Sequence, residues 1–162
     1  GGWIAAEMAA MAPEGLRGLV LVDAVGIRPK NTDITEIFMV STETRAGYRF
    51  YDPSQVPGLE EYTREPTPEE AFVDFSNREM ASRLLWKPYM HNPKLPHRLH
   101  RINIPTQLIW GESDGIVSLQ YGQALQDMIP GANMVVIPRA GHAPHVEQPE
   151  EFMKHFLDFT KG

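Results

Sequence analysis

Two short segments of the chain carry side chains able to move protons. In Pro138-Arg139-Ala140-Gly141-His142-Ala143-Pro144-His145-Val146-Glu147-Gln148-Pro149 a histidine follows a glycine, which lets the backbone turn sharply between an apolar run and a helix-forming stretch. Imidazole titrates near neutrality, so His142 is a candidate general base. The segment Trp110-Gly111-Glu112-Ser113-Asp114-Gly115-Ile116-Val117 follows the preceding apolar run in the same way and supplies a carboxylate. A buried aspartate that accepts the imidazole N–H fixes the ring's tautomer and stabilises the imidazolium formed when the base takes a proton. That chemistry needs both groups. Alone, His142 reads equally as a loop histidine and Asp114-Gly115 as an ordinary turn; their placement after successive apolar runs is what pairs them.

The elements that must position these loops have a parallel α/β pattern. Trp3 to Met11 is made of good helix formers, with Ile4, Met8 and Met11 at helical spacing and small alanines that permit close packing on a sheet. Pro13 and Gly15 end it. Gly18-Leu19-Val20-Leu21-Val22 then reads as a strand buried on both faces, because polar alternation is missing. Thr106 to Trp110 and Met134 to Ile137 are similar runs. Between them Ser118 opens a helix with Tyr121, Ala124, Leu125 and Met128 on one face, which makes a βαβ unit. A last helix starts at Pro149, has Glu150 and Glu151 in its first turn, and presents Met153, Phe156, Leu157 and Thr160 inward. Three parallel strands are few, and so apolar a first strand calls for a neighbour on its far side.

Residues 28 to 101 differ in texture, with many prolines, more charge and the aromatics Tyr48, Phe50, Tyr51, Trp86 and Tyr89. They read as a helical insertion between two parts of one core, residues 1–27 and 102–162. Thr67-Pro68-Glu69-Glu70 is a capping box with proline at the first helical position, opening a helix whose apolar face includes Ala71, Phe72 and Phe75. Asp33 with Glu36 suggests another helix start. Most of the aromatics are expected to form the insertion's own core.

Composition narrows the function classes. A formal net charge of -6 without any Lys/Arg-rich run disfavours nucleic acid and anionic lipid. The lack of cysteine removes thiolate metal sites and a cysteine nucleophile. No apolar run reaches the roughly 18 residues that suggest a membrane span. His91, His97 and His100, like His142 and His145, follow no zinc-ligand spacing and are interrupted by proline, so they read as surface histidines; no metal or cofactor is expected. The compartment is left open, with the cytoplasm favoured.

On these residues the chain resembles the α/β-hydrolase superfamily over essentially its whole length. Gly111-Glu112-Ser113-Asp114 is similar to the family's acid loop, and Gly141-His142 with Glu147-Gln148-Pro149-Glu150-Glu151-Phe152 to its histidine loop and closing helix. The family inserts a helical cap where residues 28–101 lie. The resemblance implies a Ser-His-Asp triad with His142 as base and Asp114 as acid, acting on a small apolar or acyl substrate. Asp23 is a rival acid, because some members place the acid after that strand. The family's nucleophile sits in a Gly-x-Ser-x-Gly turn before a helix. Gly1-Gly2-Trp3-Ile4-Ala5-Ala6 resembles the end of that turn, which puts the nucleophile two positions before Gly1 and the rest of the sheet in an N-terminal half of the same fold. Ser41, Ser54, Ser76, Ser82, Ser113 and Ser118 lack the flanking glycines. An esterase or carbon–carbon bond hydrolase is the leading expectation, and the chain alone is expected to be inactive. A haloalkane dehalogenase or epoxide hydrolase with an upstream aspartate, or a non-catalytic binding protein on the same fold, are the alternatives.

Overall fold

A computed structural model describes residues 1–161. Three apolar runs become the parallel strands β1 (Leu19–Val22), β2 (Thr106–Gly111) and β3 (Asn133–Ile137), in the spatial order β1-β2-β3. Their register aligns Leu21 with Leu108, and Gly111 with Ile137. Strand β2 is central and buried at every position, as an unbroken apolar run requires.

Side chains alternate between the two faces of this sheet. On one face Leu19, Leu21, Leu108 and Trp110 pack with helix α1 (Gly2–Met11) and with a helix in the β2–β3 crossover. On the other, Ile109 and Ile137 meet the phenylalanines of the C-terminal helix. Three α-helices lie between β1 and β2, and a fourth is the β2–β3 crossover. These are α2 (Thr42–Arg49), α3 (Leu59–Thr63), α4 (Pro68–Leu85) and the crossover helix α5 (Leu119–Asp127). The short α6 (Pro144–Glu147) and the long α7 (Pro149–Lys161) close the chain. The two ends of the stretch between β1 and β2 meet where Gly26 bridges His91 and the Asn92 N–H donates to the Gly26 carbonyl.

The capping box at Thr67 forms as its residues dictate: Thr67 accepts from the Glu70 N–H, and Glu70 reaches back to the Thr67 N–H. The alanines of α1 let it pack closely on the sheet, as their size suggests: Ala6, Ala9 and Ala10 are buried and Ile4, Met8 and Met11 exposed. Several other expectations are corrected. Strand β1 is covered on one face only in part: Leu19 and Leu21 are buried while Val20 and Val22 are intermediate. Helix α7 turns Phe152 and Phe156 inward and leaves Met153 and Leu157 exposed, since its aromatic stripe is the larger apolar surface. Asp33 and Glu36 open no helix; the Glu36 carboxylate accepts from the Phe38 and Met39 N–H groups, and Ile34 bridges Val117, which hold the backbone in a turn and an extended bridge. Ser118 occupies the N-cap of α5 without a side-chain bond to it. The aromatics do not form a core of their own. Phe50 is buried, but Tyr51, Phe72, Phe75 and Trp86 are exposed, because α4 buries none of its residues against the sheet. His91 is buried rather than on the surface, with Nδ1 against the Tyr89 carbonyl.

Candidate active site

The loops that follow β1, β2 and β3 lie at one rim, because parallel strands all end on the same side of the sheet. The loop after β2 is tied to its neighbour by main-chain bonds: Glu112 N–H donates to the Ile137 carbonyl at 3.0 Å and Ser113 N–H to that of Ala140 at 2.9 Å. These bonds place Asp114 below the start of the β3 loop. Its side chain is fully buried. Oδ1 accepts from the Ile116 and Val117 N–H groups at 2.8 and 2.9 Å, which fixes the carboxylate plane and leaves Oδ2 aimed across the rim.

His142 meets it there. Nδ1 lies 2.8 Å from Asp114 Oδ2, although 28 residues separate the two in sequence. An imidazole that donates Nδ1–H to a carboxylate leaves Nε2 with its lone pair, and no group among the described residues bonds Nε2. The ring is about a quarter exposed, with its side chain at 28%. It is open to a reactant on that edge.

The histidine's backbone is clamped as well. His142 N–H donates to the Arg49 carbonyl at the end of α2, at 2.6 Å. Two glycines are required by close approach rather than by turn angle: a Cβ at Gly111 would fall 1.9 Å from the Gly141 carbonyl oxygen, and one at Gly141 would fall 2.4 Å from the Arg49 oxygen. Glu147 joins the same elements, since Oε2 accepts from Gly141 N–H and Oε1 from Tyr51 N–H, both at 2.6 Å. The Arg49 carbonyl carries no residue-type signal, and Glu147, though part of the histidine-loop and closing-helix motif, gives no sequence sign of the two N–H groups it accepts from.

Asp23, after β1, is also at this rim. It is buried, adopts a left-handed backbone (φ 44°), and accepts from the Gly111 N–H at 3.0 Å through Oδ1. Oδ2 has no partner among the described residues. Burial, then the adjacent Asp114 charge, hold its pKa well above the ordinary carboxylate range. The hydrogen bond to His142 goes to Asp114 and not to Asp23. Donor atoms of Asp23, Asp114 and His142 lie within 4.8 Å of one another. Zinc bonds of about 2.0–2.2 Å need donors that converge on one point. Here Asp114 has both oxygens committed to hydrogen bonds, which fits a proton-transfer site better than a metal site. His145 and the upstream His97 and His100 are exposed.

The family model described as the alpha/beta hydrolase family matches residues 1–155. The chain belongs to that family. Among its relatives, a pimeloyl-[acyl-carrier protein] methyl ester esterase of Neisseria meningitidis serogroup B is 33% identical over 66 residues, 41% of this chain and 26% of the esterase. A 2-hydroxy-6-oxononadienedioate/2-hydroxy-6-oxononatrienedioate hydrolase of Paraburkholderia phymatum is 39% identical over 67 residues, 41% of this chain and 23% of that enzyme. The crystal structure of a 2-hydroxy-6-oxo-6-phenylhexa-2,4-dienoate hydrolase from a Rhodococcus species superposes with a TM-score of 0.77 at 22% identity, covering 100% of this chain and 61% of the other. The chain thus spans about a quarter of the length of the curated relatives it matches. For this alpha/beta hydrolase, the fold and the coarse hydrolase class are shared with those proteins. No helix among the described residues is long and apolar enough to cross a membrane.

Proposed function

We propose that the chain supplies the general base His142 and its orienting acid Asp114 to a hydrolase that cleaves a small ester or carbon–carbon substrate. The observation that carries this reading is the 2.8 Å contact between Nδ1 and a carboxylate whose other oxygen is held by two backbone N–H groups. With Nδ1 engaged, Nε2 takes a proton from the nucleophile and returns it to the leaving group, and Asp114 stabilises the imidazolium in between. No cofactor is required for that sequence. The names of the two curated relatives, one an ester hydrolase and one a hydrolase of an oxo-dienedioate, support the substrate class.

The nucleophile belongs to the residue two positions before Gly1, a serine in this reading. Its support is positional: Gly2 opens α1 directly beside Ala24, where a Cβ on Gly2 would fall 2.5 Å from the Ala24 Cβ, so the start of α1 lies next to Asp23 at the rim. In this reading a side chain just before that helix would approach the rim that carries Asp23, Asp114 and His142. Residues 28–101 act as a cap whose α2 end, through Arg49, forms one wall over His142. In the protein that includes the preceding segment, His142→Ala should lower nitrophenyl-ester turnover by at least about 10³-fold. The 162-residue chain by itself should give no turnover and no labelling by a fluorophosphonate probe; labelling of this chain would contradict the placement of the nucleophile.

A further inference from the structure

One buried titratable group is left over by this mechanism. Asp23 Oδ1 is spent on the Gly111 N–H, while Oδ2 is buried and unpartnered among the described residues. A carboxylate oxygen sealed from water with no donor is the costliest way to leave that group. The titratable side chains beside it are Asp114 and His142, each with an atom within 4.8 Å of an Asp23 oxygen. Asp114 has no proton to give, for its oxygens accept from His142, Ile116 and Val117. The vacancy of donors is removed if Asp23 itself carries a proton. It then becomes a donor, and the acceptor within reach is the Asp114 carboxylate.

Resting on the assignment of His142 and Asp114 above, we infer that Asp23 is a protonated positioning residue, which donates its carboxyl O–H to Asp114 and keeps this buried rim at one negative charge instead of two. The titratable groups facing it are Asp114 from the β2 loop, His142 from the β3 loop and, farther off, Glu147 of α6. Two of the three are acidic, and burial and Asp114 together raise the Asp23 pKa, in keeping with a retained proton. The consequence falls on the histidine. A second negative charge beside Asp114 would favour the imidazolium over the neutral ring that acts as a base. Asp23 acts on the ring through Asp114 and touches no reacting atom.

The test uses the protein with its upstream segment and compares kcat/KM against pH for a nitrophenyl ester in wild type, Asp23→Asn, Asp23→Ala and Asp114→Asn. The amide of Asp23→Asn can donate to Asp114 while its oxygen still accepts from Gly111. It should keep kcat/KM within about threefold and leave the acid limb in place, whereas Asp23→Ala should lose at least about tenfold. Difference infrared spectroscopy of protein labelled with ¹³C-aspartate should show one protonated carboxyl band at neutral pH, absent from Asp23→Asn; a purely structural role would give no such band. An acid limb displaced downward by about one unit or more in Asp23→Asn would overturn the inference by showing that an ionised charge had been removed. A wild type without the band overturns it too, even if the variants do not fold. Asp114→Asn separates the two readings: if its activity is unchanged, the assignment of the acid itself fails, and if it is inactive while Asp23→Asn is equally so, only the proton-sharing role fails.

Discussion

The geometry around His142 leaves little slack at single residues. The carbonyl of Gly141 runs over the Cα of Gly111, so Gly111→Ala must push the histidine loop off the acid loop. Overpacking against backbone of this kind costs about 1–3 kcal/mol or more. Gly111→Ala is expected to lower the denaturant midpoint accordingly and to lose activity beyond what the unfolded fraction explains. Glu147→Ala strips acceptors from both Gly141 and Tyr51, a loss of about 1–3 kcal/mol by equilibrium unfolding, with faster hydrogen exchange at those two amides as its local signature. Asp23 gives a pH dependence of definite sign. Its pKa is raised on folding, so the native state holds more protons than the unfolded one between the ordinary value near about 4 and the native value. Stability from this group is full below about pH 4 and is lost as pH rises through the native pKa. The stability of Asp23→Asn relative to wild type should therefore improve as pH rises from about 4 through the native pKa and level off above it, as urea titrations at several pH values would show; a constant difference would contradict the raised pKa.

At the scale of elements, the positions of the acid and histidine loops are legible in the sequence because continuous apolar runs announce buried parallel strands, and the residues just past such runs must share a rim. That inference needs no side-chain detail, and it brings Asp114 and His142 together across β2 and β3. Which face of a helix turns inward is less legible. In α7 phenylalanine outcompetes methionine and leucine: Phe152 and Phe156 turn inward while Met153 and Leu157 stay exposed. Spacing identifies a stripe, but the separation available between helix and sheet decides which stripe fits. Main-chain partners are not legible at all, since the Arg49 carbonyl that accepts from His142 carries no residue-type signature. Helix α4 is the extreme case, well capped at Thr67 yet leaving Phe72 and Phe75 at 72% and 68% exposure. In this chain Phe72→Ser and Phe75→Ser should change folding stability by no more than about 0.5 kcal/mol each while reducing binding of a hydrophobic dye. A loss of several kcal/mol from either would show that α4 packs differently.

For the molecule as a whole, three strands, their crossovers and the rim loops reproduce the fold of a solved hydrolase over 61% of that protein's length. Among the described residues, the apolar side chains of Ile4, Met8 and Met11 on α1 and Phe72 and Phe75 on α4 stay exposed, and β1 is an edge strand. At the rim, His142 Nδ1 meets Asp114 Oδ2 while no group among the described residues bonds Nε2. The most direct measurement is steady-state ester hydrolysis by the protein with its upstream segment, wild type against Asp114→Asn, followed across pH. The tautomer and charge that Asp114 imposes predict a fall of about 10⁴-fold in kcat with KM little changed. Activity within about threefold of wild type, in a variant that folds, would mean that the Asp114–His142 bond is an ordinary structural contact.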